Sequence, residues 1–353
     1  MIRKLLKVFV GLCLLAVVGI GLVAWKQHTM LTQPLRLTEE RLLDVPQGAT
    51  PGGVLRQLEA DGVIQDAFLL RVYWRFRLAD HSLHTGEYRL IPGQTVADLF
   101  GAWQRGEVVQ YTLTLVEGWS FRQIRAALAA QPKLEQTLAG LDDAAVTARV
   151  GLEGQHPEGR FFPDTYRYVR GVSDADILRQ AQQRLTRILE EEWAQRSENL
   201  PYKDAYEALI MASLIEKETG VPHERGQIAG VFVRRLAKGM LLQTDPTVIY
   251  GMGDRYQGRI TRADLRAPTP YNTYTNAGLP PTPIAAVGRE SIHAALHPEP
   301  GDSLYFVARG DGSHVFSDTL DAHNQAVREY QLKRRSDYRS SPAPTPSTET
   351  DSE

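Results

Sequence analysis

The chain contains 353 residues and has a formal net charge of −2, so no strong electrostatic field favours nucleic acid or another highly charged partner. Its single cysteine, Cys13, excludes a disulfide framework and a cysteine-rich metal site. A chain of this length is typical of two or three domains and can bury a sizeable hydrophobic core.

The first element in chain order is an apolar segment near the N-terminus. Residues 8–25, VFVGLCLLAVVGIGLVAW, carry no charge and follow Arg3, Lys4 and Lys7. As a helix this segment would be about 27 Å long, close to the thickness of a bilayer core. The alternative is a cleaved signal peptide, but no clear small-x-small cleavage site follows. We predict a single-pass inner-membrane anchor within residues 1–27.

The basic residues before this segment predict the orientation of the anchor. Lysine and arginine favour the cytoplasmic side of a membrane, so the N-terminus is expected in the cytoplasm. The rest of the chain would then lie in the periplasm or its equivalent. A linker is predicted over residues 28–42.

Residues 43–108 are predicted to form a small α+β unit. LLDVPQGAT is typical of a strand and turn, and PGGVLRQLEADGVI of a helix that ends at Gly62. AFLLRVYWRFRLAD has apolar residues at helical spacing, and GEYRL is typical of a second strand. Strand–helix–helix–strand is the order of the LysM glycan-binding module, so we predict a LysM-like subdomain here, followed by a helix that ends near Gly106.

Residues 109–335 are predicted to form a larger mixed α+β domain. Its expected elements are a strand in VVQYTLTL, a helix over 173–196 capped by Ser173, a helix over 205–218, a helix that stops at Gly239, a hairpin turning at 310–312 and a last helix from Leu320 to about Lys333. Residues 242–284 are predicted to be mostly loop, and long loops in compact domains are usually functional. Residues 336–353 are rich in Ser, Thr and Pro, which predicts a disordered tail.

The stretch ASLIEKETG, residues 212–220, places Glu216 and Glu218 at the C-terminal end of an apolar helix. The helix dipole is negative there, so a partly buried carboxyl should have a raised pKa, as a general acid requires. The two side chains are about 200° apart around the helix axis and cannot face the same pocket. The alternative is a structural ion pair with an arginine further along the chain, for which the candidates are Arg225, Arg234 and Arg235.

From about Leu115 to Tyr330 the chain resembles the YceG-like family of endolytic murein transglycosylases. The motifs that carry the resemblance are EGRFFPDTY (158–166), MASLIEKET (211–219), VFVRRL (231–236), LLQTDPTVIYGMG (241–253), TPYNTYTNAGLPPTPIA (269–285) and HVFSDTLDAHN (314–324). An anchor, a LysM-like unit and a catalytic domain also follow one another as in that family. One departure is Arg234, which stands where we expect asparagine.

The resemblance implies lytic cleavage of the β-1,4 bond between N-acetylmuramic acid and N-acetylglucosamine in peptidoglycan glycan strands. The family's catalytic glutamate corresponds to Glu218. A protonated Glu218 would donate to the glycosidic oxygen, then accept the proton of the muramoyl 6-hydroxyl as that oxygen closes a 1,6-anhydro ring. No water enters, so the second carboxylate that glycosidases need is not required. Such cleavage of nascent strands would terminate their elongation, and peptidoglycan synthases are candidate partners.

Other polar residues of the long loop are candidate substrate ligands. Amides can hydrogen-bond sugar hydroxyls and acetamido groups, and aromatic faces can cover sugar rings. We predict substrate contacts from Gln243, Asp245, Tyr271, Asn272 and Tyr274.

Two rival functions remain open at this point. A muramidase-type hydrolase would use Glu218 with Asp164 or Asp245 as the second carboxylate, although both aspartates, like Glu117 and Glu158, also suit structural turns. A non-catalytic wall-binding scaffold would use the LysM-like unit alone. We predict no cofactor and no metal, because the chain has no P-loop or GxGxxG and the spacing of His293, His297, His314 and His323 fits no zinc motif.

Overall fold

The computed structural model describes residues 2–78 and 80–332, which form a mixed α+β chain with two compact units. Unit 1 comprises Met1–Thr112, Pro132–Glu135 and Arg167–Val172, and unit 2 comprises Leu113–Gln131, Gln136–Tyr166 and Ser173–Glu353. The sequence-predicted boundary between residues 108 and 109 stays a prediction. Unit 2 begins at Leu113 and lacks two short segments that the chain contributes to unit 1.

Helix α1 spans Ile2–Thr32. Within the described residues, Phe9–Thr32 is the segment long and apolar enough to cross a membrane, and its large apolar side chains, such as Leu15 and Trp25, are exposed. The helix continues into residues 28–42, where a linker was predicted. There Met30 and Leu35 are buried in the core of unit 1, and the Leu35 amide donates to the Gln94 carbonyl at 2.7 Å.

Unit 1 contains β1 (Arg41–Val45), α2 (Pro51–Ala60), α3 (Ala67–Arg77), β2 (Gly86–Leu90) and α4 (Val96–Arg105). The predicted strand–helix–helix–strand order is confirmed, and β1 and β2 pair antiparallel with Leu43 opposite Tyr88. Thr50 caps α2 by accepting from the Gly53 amide, and Thr95 forms a capping box with Asp98 at the start of α4. The apolar faces of these helices meet around Leu58 and Trp103.

The buried carboxylate of Glu87 binds a side chain from each of the two later segments of unit 1, residues 132–135 and 167–172. Lys133 donates to its Oε1 at 2.8 Å and Arg170 to the same oxygen at 2.9 Å, and the Tyr111 hydroxyl donates to Oε2. Burial by itself would raise the pKa of Glu87, but these three hydrogen bonds hold it below its usual value. The charge on Glu87 therefore attaches residues 132–135 and 167–172 to unit 1.

Unit 2 contains α5 (Phe121–Ala129), α6 (Asp143–Arg149), α7 (Asp174–Ala194), α8 (Ala205–Glu218), α9 (Arg225–Ala237), α10 (Asp245–Met252), α11 (Arg289–Leu296), β5 (Tyr305–Ala308), β6 (His314–Ser317) and α12 (Leu320–Val327). Strands β3 (Gln110–Thr114) and β4 (Thr165–Val169) pair with each other, and each contributes residues to both units.

Helix α8 is the centre of the unit 2 core. Every residue from Ala208 to Ile215 is buried, because the helix is apolar on all sides and packs against α7, α9, α10 and α11. Asp204 caps its start by accepting from the Glu207 amide, and it ends at Glu218 because Thr219 is extended, with φ −139°. The predicted helix over 205–218 is thus confirmed, as is Ser173 as the N-cap of α7.

The region predicted as mostly loop contains a helix. Residues 245–252 form α10, so that prediction is wrong for this part of 242–284. Pro246 suggested a turn, but proline is tolerated in the first turn of a helix, where no amide donor is needed. The predicted hairpin is confirmed as β5–β6, and α12 is followed by a π turn over Arg328–Leu332. Lys333 and the predicted tail lie outside the described residues.

Candidate active site

Glu218 lies in a cavity of about 690 Å³ within unit 2. The C-terminal end of α8 forms one wall, the segment entering α10 forms another, and the β5–β6 hairpin with α12 faces them. The lining residues are Lys217, Glu218, Arg235, Leu242, Gln243, Asp245, Ile249, Tyr274, Tyr305, Phe306, Val307, Ala308, His314, Leu320, His323, Val327 and Gln331. This volume is in the range of small-molecule binding sites.

The Glu218 carboxyl is half-buried and accepts a hydrogen bond at Oε1 from the Thr244 hydroxyl. Burial raises its pKa to about 7, the negative charge of Asp245 acts in the same direction, and the Thr244 hydrogen bond opposes both. A carboxyl with this pKa is available in both protonation states near neutral pH. Glu218 can therefore donate a proton and take one back without leaving the cavity.

A buried group of threonines positions the partner of Glu218. The Thr244 amide donates to Thr273 Oγ1 at 3.1 Å, and Thr247 bonds both the Thr244 carbonyl at 2.7 Å and Thr273 Oγ1 at 2.9 Å. All three side chains are buried. The sequence does not indicate these three threonines, since nothing in their spacing distinguishes them from other loop threonines.

Three predicted ligands, Gln243, Asp245 and Tyr274, line the cavity with Glu218. Gln243 has φ +54°, a left-handed conformation that is rare for a residue with a side chain, and its Oε1 accepts from Arg235 Nη2 at 3.0 Å. The Tyr274 hydroxyl donates to Asp245 Oδ1 at 2.6 Å, and burial together with this bond raises the pKa of Tyr274. Their roles as substrate contacts stay predictions.

The other two predicted ligands lie elsewhere. Asn272 is fully buried, its amide nitrogen donates to the carbonyls of Asp264, Leu265 and Ala267, and its Oδ1 accepts from the Tyr274 amide. Its polar atoms are thus used to shape the loop, which contradicts a direct substrate contact. Tyr271 lies outside the cavity lining, bonds Thr282 at 2.9 Å and packs edge-on against Tyr250.

The remaining acids considered from the sequence are separated from Glu218. Glu216 Oε2 accepts from the Gly288 amide at 3.1 Å, on a different side of α8 from the cavity, as the helical angle predicted. Asp164 accepts from the Thr165 amide at 2.7 Å and pairs with Arg184. Neither lines the cavity, whereas Asp245 does. Of the two aspartates considered as a second carboxylate, Asp164 and Asp245, it is therefore Asp245 that could act on the same substrate as Glu218.

A second cavity of about 820 Å³ adjoins the first, because Lys217 and Ile249 line both. It contains Glu158, which the sequence assigned to a turn. Glu158 is buried and accepts from the Phe121 amide at 2.9 Å and the Tyr250 hydroxyl at 3.0 Å. Burial raises its pKa to about 7 despite these bonds. The two cavities therefore lie next to each other, with Lys217 and Ile249 between them.

One cluster in the described chain has the ligand types of a metal site. Glu192, His293 and His297 bring three ligand atoms within 4.8 Å of one another. However, Arg289 Nε already binds Glu192 Oε1 at 2.7 Å, and His293 Nδ1 lies 2.8 Å from Oε2. The carboxylate is thus part of an ion-pair network, which is why we assign no metal to it.

The departure at Arg234 lies outside the Glu218 cavity. Arg234 Nε donates to the Ser303 carbonyl at 2.8 Å and Nη1 to the Glu299 carbonyl at 3.0 Å. These bonds give the arginine a structural role between α9 and the segment before β5.

Comparison with known proteins gives a consistent family match. The model of the YceG-like family matches residues 43–329. An endolytic murein transglycosylase of Bacillus subtilis (strain 168) is 33% identical over 306 residues, which cover 82% of this chain and 84% of that protein. One of Streptococcus pneumoniae serotype 2 is 26% identical, and the match covers 81% of this chain but 57% of that longer protein. The crystal structure of a putative yceG-like protein from Listeria monocytogenes matches with a TM-score of 0.53 at 32% identity, over 82% of this chain and 99% of that one.

Proposed function

The chain belongs to the YceG-like family, and from this premise we propose that it is an endolytic murein transglycosylase whose catalytic residue is Glu218. It cleaves the β-1,4 bond between N-acetylmuramic acid and N-acetylglucosamine in peptidoglycan and leaves a 1,6-anhydro ring. The assignment of Glu218 rests on its position in the family motif MASLIEKET, and it is supported by a cavity in which burial raises the pKa of this carboxyl to about 7 and which Gln243, Asp245 and Tyr274 also line.

The hydrogen bond from Thr244 determines which oxygen of Glu218 reacts. Thr244 donates to Oε1, so the proton of the neutral acid is on Oε2. Glu218 gives this proton to the glycosidic oxygen as the bond to the anomeric carbon breaks. The muramoyl 6-hydroxyl then attacks the anomeric carbon and its proton returns to the Glu218 carboxylate. One carboxyl therefore completes the cycle, and atoms and charge balance without water.

The adjoining cavity supports internal cleavage of a strand. An enzyme that cuts within a polymer must accept sugar units on both sides of the scissile bond. The Glu218 cavity and the Glu158 cavity share Lys217 and Ile249, so a glycan strand bound at Glu218 can continue into the second cavity.

Product analysis tests the proposed reaction. The full chain, purified in detergent, is incubated with uncrosslinked glycan strands and the new ends are identified by mass spectrometry. We expect 1,6-anhydro-muramoyl ends from the wild type and none from Glu218→Gln. Glu216→Gln is the matched control and should retain cleavage, because Glu216 bonds the Gly288 amide outside the cavity.

A muramidase-type hydrolase is the second candidate, because Asp245 lines the same cavity as Glu218. With Asp245 as nucleophile or base, water would enter and the products would carry reducing ends. Reducing ends in place of anhydro ends would establish this reaction instead. Asp245→Asn would then abolish cleavage, whereas the lytic route predicts a partial loss through the Tyr274 contact.

The first helix supports a proposed location for the protein. We propose that α1 anchors the chain in the inner membrane, with a cytoplasmic N-terminus and a periplasmic catalytic region, because Phe9–Thr32 is long and apolar enough to span a bilayer. A cutter anchored there meets nascent strands as they emerge, so peptidoglycan synthases are proposed partners. The strand–helix–helix–strand unit of residues 43–108 is proposed to be LysM-like.

A further inference from the structure

A buried glutamate and histidine lie next to the chain segment that follows Glu218. Glu224 accepts from His314 Nδ1 at 2.8 Å and from the His314 amide at 2.8 Å. It also accepts from the hydroxyl of Thr219, the residue directly after Glu218, at 3.3 Å. The side chains of Glu224 and His314 are 5% and 6% exposed, respectively. Glu224 thus attaches the start of β6 to the end of α8.

The bond to Glu224 determines the tautomer of His314. A carboxylate can only accept, so Nδ1 carries the ring hydrogen and Nε2 of the neutral ring is an acceptor. Within residues 2–78 and 80–332 no group bonds Nε2, although the ring is more than nine-tenths buried and packs edge-on against Phe306. His314 also lines the Glu218 cavity. An acceptor that has no partner among these residues, on a ring that lines the cavity, is suited to a ligand bound there.

We propose that His314 is a substrate-binding residue of this site, whose Nε2 accepts a hydrogen bond from a sugar hydroxyl of the bound glycan, with Glu224 as its positioning residue. The inference rests on the proposed function, since the glycan is the ligand that this function supplies. Glu224 contributes by keeping Nδ1 protonated and the ring in one orientation. In other carboxylate–histidine pairs too, the hydrogen bond to the carboxylate determines which ring nitrogen is left to face the ligand.

The alternative is that the pair only fastens β6 to α8. His314→Asn separates the two roles, because the asparagine amide nitrogen can take the place of Nδ1 and donate to Glu224, while nothing replaces Nε2. His297→Asn is the matched control. Its Nδ1 has a partner, Ser197 Oγ at 3.3 Å, but the residue lies outside both cavities.

Steady-state cleavage of uncrosslinked glycan strands by the full chain is the main test. We expect His314→Asn to melt close to the wild type and to lose about tenfold in kcat/KM, the order expected for one lost hydrogen bond. His297→Asn should match the wild type. A His314→Asn enzyme within twofold of the wild-type kcat/KM would overturn the inference while leaving the proposed function intact. If the wild type releases no 1,6-anhydro-muramoyl ends, the proposed function itself fails.

Histidine ring NMR tests the same inference without changing His314. In the Glu218→Gln full chain labelled with ¹⁵N-histidine, His314 should carry a hydrogen on Nδ1, and its Nε2 signal should move when glycan strands are added to saturation. An Nε2 signal that stays unchanged at saturation, or a hydrogen on Nε2 in place of Nδ1, would refute the proposed contact. This measurement decides the question even if His314→Asn fails to fold.

Discussion

Replacing Glu218 by glutamine tests the burial of this residue as well as its chemistry. Glutamine keeps the size of the side chain and can accept from Thr244, but it cannot donate an acidic proton. Folding raises the pKa of Glu218 from 4.5 to about 7. Because one pKa unit corresponds to about 1.36 kcal/mol, ionising Glu218 costs about 3 kcal/mol more in the folded protein than in the unfolded chain.

The sign of the effect follows from the raised pKa. The unfolded chain releases this proton near pH 4.5 and the folded chain near pH 7, so the contribution of Glu218 to stability is complete below pH 4.5 and lost as the pH rises through 7. Glutamine has no such dependence. The free energy of unfolding of Glu218→Gln relative to the wild type should therefore increase by about 3 kcal/mol between pH 4 and pH 8.

Urea unfolding of the two proteins in the same detergent measures this difference, and the release of anhydro ends measures activity. The variant should be inactive at every pH, whereas wild-type cleavage should decline above pH 7 as Glu218 loses its proton. If the free energies of unfolding of Glu218→Gln and the wild type differed by the same amount at pH 4 and pH 8, the raised pKa of Glu218 would be refuted. Cleavage by Glu218→Gln at the wild-type rate would refute its catalytic role.

Three further predictions concern residues around the two cavities. Thr244→Val removes the hydrogen bond that lowers the pKa of Glu218, so the alkaline limb of the pH–rate profile should shift to higher pH by about one unit. An alkaline limb at unchanged or lower pH would contradict this. Tyr250→Phe removes a hydrogen-bond donor to Glu158 and should lower the free energy of unfolding by about 1–3 kcal/mol. The loss should be larger at pH 8 than at pH 5.5, because the bond favours the ionised carboxylate. Equal shifts of the urea midpoint at both pH values would count against this prediction. Gly159→Ala should cost more than about 2 kcal/mol, because φ is +70° and a Cβ would lie 2.4 Å from Pro283 Cβ. Gly140→Ala, with φ +74° but open space, isolates the backbone strain and should cost about 1 kcal/mol, so equal losses would contradict the predicted clash.

The elements that depend on neighbouring residues were predictable from the sequence. The N-terminal helix, the capping of α7 by Ser173, the extent of α8 and the β5–β6 hairpin all follow from apolar periodicity and turn chemistry within a few residues. Helix periodicity also predicted that Glu216 and Glu218 point apart. The sequence motifs indicated the family, and the family resemblance, not the periodicity, selected Glu218 as the catalytic glutamate.

Tertiary structure decided which side chains share the site. Thr244, which bonds Glu218 from 26 residues further along the chain, has no sequence signal of its own, and Asn272 looks like a sugar ligand until its amide is found bonded to three carbonyls. Glu224 and His314 meet across 90 residues. Whether a polar group faces a ligand depends on which other groups satisfy its hydrogen bonds, and those partners come from distant segments that local patterns do not relate.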